Sequence, residues 1–113
     1  MNKRQLGAEY EKKAVALLLE KGYQILERNY RNRTGEIDII AKDGEYICFV
    51  EVKFRTNSDF GSPLEAIDWK KQKQIRKVAM YYLMYHGYHT CTPCRFDVIA
   101  YEGEDVIHLE NAF

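Results

Sequence analysis

The stretch that decides the reading is Gly35-Glu36-Ile37-Asp38-Ile39-Ile40, followed by Lys42-Asp43-Gly44-Glu45 and then Phe49-Val50-Glu51-Val52-Lys53-Phe54-Arg55. Val, Ile and Phe dominate both arms, and Asp43-Gly44 is a strong hairpin signal because both central residues of a type I′ turn need φ > 0. With Asp43 and Gly44 as the loop, Lys42 faces Glu45, Asp38 faces Phe49 and Glu36 faces Glu51. Side chains alternate across a strand, so Ile37, Ile39, Ala41, Tyr46, Cys48, Val50, Val52 and Phe54 form one apolar face. The opposite face carries Glu36, Asp38, Glu51, Lys53 and Arg55.

Such a face is costly in a purely structural sheet, since like charges directly opposite each other destabilise a strand pair. Diagonal neighbours lie roughly 7–8 Å apart, close enough for Asp38 and Glu51 to share one cation between them. Mg²⁺ takes one or two carboxylates, keeps several waters and completes its shell with substrate phosphate. Lys53 follows Glu51 by two residues on the same face, where it meets a phosphate or an attacking water. The pattern points to a metal-and-phosphate site, provided the register holds, because a slip of one residue would turn every one of these side chains over.

The rest of the chain frames that hairpin. At 113 residues and 46% hydrophobic content it has enough apolar material for one core and one domain, residues 1–113. Its net charge of +0 predicts neither nucleic-acid nor membrane binding in bulk. The distribution says more: Arg28, Arg31 and Arg33, then Lys53 and Arg55, then Lys70, Lys71, Lys73, Arg76 and Lys77 form basic clusters, and local patches set the field at a cleft. There is no apolar leader after Met1 and no run long enough for a membrane span. Three cysteines give no disulfide framework and favour a reducing compartment. These features are those of a cytoplasmic protein without a membrane partner.

Leu6, Tyr10, Ala14, Leu17 and Leu18 recur at helical spacing over residues 4–21, with Gly22 suited to the left-handed position after the helix. Glu9 beside this stripe reads from the pattern alone as a surface ion pair with Lys13. Residues 23–30 form a first strand, and Arg31-Asn32-Arg33-Thr34-Gly35 is a basic loop whose arginines serve either as counter-ions to the carboxylates or as holders of nucleic-acid phosphate. Residues 56–61 form a turn. The next helix starts at a Ser62-Pro63-Leu64-Glu65 capping box or later, at Asp68, and runs to Gly87. Ile75, Val78, Ala79, Tyr82 and Leu83 form its buried stripe. Lys71 and Gln72 border that stripe and turn inward, whereas Lys70 and Lys73 extend the positive edge. Tyr81, Tyr85 and Tyr88 form a second stripe, for packing or self-association. The spacing of His86, His89, Cys91 and Cys94 is too compressed for zinc knuckles. Residues 95–101 and 106–109 are the last strands, giving the order αβββαββ.

Asp38-x12-Glu51-x-Lys53 on a hairpin between two helices resembles the PD-(D/E)xK nuclease superfamily, with Ile37 in place of the motif's proline. More narrowly the chain resembles the YraN-like endonuclease-related family. The cues are Gly7/Ala8 at the first helix, Gly35-Glu36-Ile37-Asp38, Phe49-Val50-Glu51-Val52-Lys53, Gly61-x-Pro63 and Arg95-Phe96-Asp97-Val98. Over the first helix and the hairpin it is also similar to archaeal Holliday-junction resolvases. The resemblance implies an α/β, restriction-endonuclease-like αβββαβ core, with a mixed central sheet flanked by helices. It implies Mg²⁺-dependent (or Mn²⁺-dependent) phosphodiester hydrolysis in structured or branched DNA. Asp38 and Glu51 would hold the metal with the Val52 carbonyl, Glu36 would act through the metal's waters, and Lys53 would orient the attacking water. Glu9 matches the first-helix glutamate of the resolvases, which gives it a site role in place of the surface pair. Arg31, Arg33, Arg55, Lys70, Lys71, Gln72 and Lys73 are the expected nucleic-acid contacts. A homodimer would suit paired cuts across a symmetric junction. The readings of other classes are a nucleic-acid-binding module without turnover and an assembly factor using the tyrosine face.

Overall fold

The computed structural model describes residues 1–55 and 67–113. The expected turn at residues 56–61, the Gly61-x-Pro63 loop and the Ser62–Glu65 capping box lie outside the described residues.

The chain runs α1 (Lys3–Glu20), β1 (Gln24–Arg31), β2 (Glu36–Asp43), β3 (Tyr46–Arg55), α2 (Trp69–Tyr85), β4 (Cys94–Glu102) and β5 (Asp105–Leu109). The strands form one mixed sheet in the order β1-β2-β3-β4-β5. β3 and β4 are parallel, joined across α2, and the other neighbours are antiparallel. A parallel pair needs a crossover of this kind, which is why a helix separates these two strands.

Local chemistry sets the helix ends. Asn2 and Gln5 cap α1 reciprocally: the Asn2 side chain accepts from the Gln5 N–H at 2.8 Å, and the Gln5 side chain accepts from the Asn2 N–H at 2.9 Å. Gly22, with φ of 91°, takes the left-handed position past the end of α1. Asp68 caps α2 by accepting from the Lys71 N–H at 2.8 Å.

Each helix covers one face of the sheet. On one side Ala14 and Leu18 of α1 pack on Ile39, Ala41, Cys48, Val50, Ile99 and Tyr101. Full burial of a side chain such as Leu18 contributes about 1.5–3 kcal/mol. On the other side Ile75, Val78, Ala79 and Tyr82 of α2 pack on Ile37, Ile40, Phe49, Phe96 and Val98. The hairpin therefore has two buried faces where the sequence pattern suggested one. Tyr88 leaves the expected tyrosine stripe and stacks on Tyr82, with ring centroids 6.1 Å apart, while Tyr81 and Tyr85 stack on each other at 6.2 Å.

The hairpin register differs from the expected one. Asp43 pairs with Tyr46, so the loop is Gly44-Glu45, with Gly44 at φ 59° and Glu45 outside the left-handed region. Glycine at the first of two loop residues is the pattern of a type II′ turn. The slip is by two positions, so the side chains paired in the ladder, from Ile39 to Asp43 and from Tyr46 to Val50, keep their expected faces while their partners change. Asp38 and Glu51 come next, just past the last pair of the ladder.

Buried polar groups tie β4 to the chain ends. Asp97, fully buried, accepts from Arg95 Nε at 3.1 Å, the Asn111 N–H at 3.0 Å and His108 Nε2 at 2.9 Å. Lys21 Nζ, which can only donate, lies 2.8 Å from His108 Nδ1, so the imidazole carries its proton on Nε2. Burial alone would push the Asp97 carboxyl up. The hydrogen bonds from His108, Arg95 and Asn111 outweigh it and hold the carboxyl below its ordinary value.

Candidate active site at the parting of β2 and β3

The ladder between β2 and β3 runs from Asp43–Tyr46 to Ile39–Val50 and goes no further. On the other flank of Asp38, the β1 residue between Arg28 and Tyr30 is Asn29, held at φ 52°. The sheet is thus irregular on both sides of Asp38. Ile37 and Ile39, two residues apart, accordingly pack on opposite helices. Where the strands part, the Asp38 carboxylate accepts the Val52 N–H at 2.8 Å. This side chain to backbone bond takes the place of a ladder bond, as a buried backbone group requires.

This arrangement sets two carboxylates side by side in a dry place. Glu51 is only 3% exposed, and its Oε1 has no hydrogen-bond partner. Burial first, and the Asp38 charge second, push the Glu51 carboxyl up to about 8, against the pull of Lys71 and Lys53. Asp38 is also raised by burial, opposed by the Val52 N–H, with Glu36 adding to the rise and Lys53 and Lys71 lowering it. Two adjacent acids whose carboxyls are both raised by their setting form a site prepared for a cation or a shared proton.

The structure brings Asp38, Glu51, Lys53, Lys71 and Glu36 into one electrostatic neighbourhood. Glu36 is already engaged, its Oε2 accepting from Arg31 Nε at 2.9 Å. Lys71 and Gln72 are half-buried, as their position beside the apolar stripe suggested, but Gln72 turns to the Ile67 carbonyl at 3.0 Å. Lys70, Lys73 and Arg33 are exposed. Arg55, at the end of β3, is half-buried. Val52 is tied to the site through its N–H.

Glu9 sits apart from this group: it is exposed and lies 3.9 Å from Lys12. The α1 carboxylate that feels Asp38 is Glu11. Its pKa is raised chiefly by burial and then by Asp38, and its Oε1 is shut from solvent without a partner. The signal was present in the sequence, because Glu11, Ala14 and Leu18 share one helix face at i, i+3, i+7, whereas Glu9 does not.

Hard oxygen donors, an unpartnered Glu51 oxygen and carboxyls raised by burial fit a divalent cation. Among the described residues no three acidic, imidazole or thiol side chains converge as a ligand group. The side-chain donors that would hold one are the pair Asp38 and Glu51, the number that Mg²⁺ takes when water and phosphate supply the rest. Beside the pair opens a cleft of about 430 Å³ lined by Arg31, Asn32, Gly35, Glu36, Lys71 and Gln74.

The model of the Uncharacterised protein family UPF0102 matches residues 10–101. A UPF0102 protein of Lachnoclostridium phytofermentans is 50% identical over 113 residues, covering 100% of this chain and 96% of that protein. One from Clostridioides difficile is 51% identical over 115 residues, with 100% of both chains covered. One from Thermodesulfovibrio yellowstonii is 48% identical over 109 residues, covering 96% of each. With a family match across the site and full-length relatives at about half identity, the chain belongs to the UPF0102 family.

Proposed function

We propose that the chain is a divalent-cation-dependent nuclease of the PD-(D/E)xK type, hydrolysing phosphodiester bonds in DNA of structured or branched form. The observation that carries this reading is the buried Glu51 carboxylate beside the half-buried Asp38, at the point where two strands part, with Lys53 and Lys71 acting on both. Asp38 and Glu51 would hold Mg²⁺ or Mn²⁺, with the Val52 carbonyl as a further oxygen donor. When bound, the cation supplies Lewis-acid polarisation of the phosphate and makes a nucleophile available near neutral pH.

The chain's own residues do the rest. The Val52 N–H fixes the Asp38 carboxylate in one orientation, so little reorganisation is needed when ligand arrives. Lys53 places a positive charge where the attacking water and the developing phosphorane charge meet. Glu11, on the α1 side, takes the place that the resemblance gave to Glu9, as a carboxylate able to orient water near Asp38. The basic loop and the first turns of α2 carry the strand's phosphates.

The test is cleavage of labelled duplex, flap, fork and junction DNA with Mg²⁺ or Mn²⁺ by the wild type, Asp38→Asn and Lys53→Ala. Cutting that falls by two orders of magnitude or more, about 10²–10³-fold, in both variants supports the reading. Equal trace cutting by all three proteins assigns it to a contaminant and leaves a binding module.

A further inference from the structure

The cleft beside the carboxylates is rich in donors. Arg31, Asn32, Lys71 and Gln74 line it, and Glu36, the carboxylate in its wall, is paired with Arg31 at 2.9 Å. No aromatic ring is among the described residues that line it, and these offer a base no surface to stack on. Donors without stacking suit an oxyanion.

The cleft is also built in advance. Asn32 Oδ1 accepts from the N–H groups of Thr34 at 2.8 Å and Gly35 at 3.3 Å, and the Asn32 N–H donates to the Gly35 carbonyl at 3.0 Å. Gln74 Nε2 then binds the Thr34 carbonyl at 2.8 Å, which locks the turn to α2. A Cβ at residue 35 would stand 2.8 Å from the Gln74 amide and push that side chain off the Thr34 carbonyl. With Oδ1 spent on the turn, Asn32 Nδ2 is left buried and without an acceptor. An orphan donor of this kind costs about 1–3 kcal/mol, which an arriving acceptor relieves. Lys71 links the cleft to the carboxylates, since its charge acts on both Asp38 and Glu51.

We propose that this cleft seats the backbone phosphate next to the scissile one, held by the Lys71 ammonium and the Asn32 amide, so that the strand is gripped without its bases being read. The inference rests on the nuclease reading for the nature of the neighbouring site. The substrate class is a nucleic-acid strand bound independently of sequence, with one nucleotide's sugar-phosphate drawn into a space too small for a duplex.

The test is binding of a labelled single-stranded oligonucleotide in EDTA, where no hydrolysis competes, with each phosphate replaced in turn by an uncharged methylphosphonate. At one position the replacement should weaken wild-type binding about tenfold, close to 1.4 kcal/mol. The same replacement should change Lys71→Ala by no more than about twofold, and that variant should lose about one from the salt slope. Asn32→Asp keeps the Oδ1 acceptor that closes the turn but removes the donor, and should weaken wild-type binding while erasing sensitivity at that same position. Methylphosphonates that weaken both proteins alike at every position overturn the inference, as does a wild type that binds no oligonucleotide. Coupling at one position without cleavage of any substrate supports the subsite and sinks the nuclease reading. Cleavage without coupling does the reverse.

Discussion

Glu51→Gln should make the metal-free protein more stable at alkaline pH, although the substitution removes a carboxylate from the middle of the site. A carboxyl displaced from 4.5 to about 8 opposes folding by roughly 5 kcal/mol once ionised, at about 1.36 kcal/mol per pH unit. Asp38 and Glu51 titrate as a pair, and neutralising one relieves the other, so the measurable gain should be about 2–4 kcal/mol. The sign follows from the raised value: stability is complete below about pH 4.5 and is lost as pH rises towards 8. Urea unfolding in EDTA at pH 5, 6.5 and 8.5 is the assay. With m near 1–3 kcal/mol per M, the midpoints of wild type and Glu51→Gln should coincide at pH 5 and separate by roughly 1–2 M at pH 8.5. Mg²⁺ should then raise the wild type and leave Glu51→Gln behind, because only a ligand that binds the folded site stabilises it. A difference that does not grow with pH would refute the placing of two interacting carboxylates in a dry site.

Glu11→Gln should lower cleavage about 10–100-fold, the usual cost of losing a group that orients a metal's surroundings, while Glu9→Gln leaves it unchanged on the same substrates. Gly35→Ala and Gln74→Ala should each destabilise by about 1 kcal/mol, and the double variant should cost little more than either, since both break the bond from Gln74 to Thr34; thermal unfolding of the three proteins checks this. Asp97→Ala should cost about 1–3 kcal/mol by leaving His108 Nε2 and the Asn111 N–H without their acceptor, while Arg95 keeps Asp43 and Glu110; urea unfolding checks it. The lowered Asp97 carboxyl contributes stability above its ordinary value of 3.8 that is lost as pH falls through its folded value. Asp97→Asn should therefore be less stable at pH 7 and flatten the acid limb of the unfolding curve.

The charged face was legible in the sequence because strand periodicity survives an error of register. Moving the loop from Asp43-Gly44 to Gly44-Glu45 shifted the pairing by two, and a shift of two returns each side chain to its own face. It also brings Asp38 and Glu51 together just past the last pair of the ladder, where the Asp38 charge acts on Glu51. Alternation alone hid two features. Ile40, Ile47 and Phe49 interleave with the charged positions and bury under α2, a second core that a strand pattern cannot announce. Ile37 and Ile39 should share a face, and they part company because the sheet is distorted at Asn29 and Asp38, which depends on a backbone conformation and not on residue type. The resemblance to the resolvases placed the first-helix acid at Glu9. On the helical face of Ala14 and Leu18, the acid on which burial and the Asp38 charge both act is Glu11, two residues later. Asn32 and Gln74 had no signal at all, since the turn that joins them closes through atoms about 40 residues apart in the chain.

The most direct test of the account is a Mn²⁺ titration of the protein at pH 8, followed by the loss of the free ion's EPR signal, for wild type, Asp38→Asn and Glu51→Gln. The wild type should show a site that weakens at least about tenfold in each variant, because a hard cation loses one of its two carboxylates. Equal Mn²⁺ binding by all three proteins would contradict it, and would mean that the two acids at the parting of β2 and β3 share a proton, not a metal.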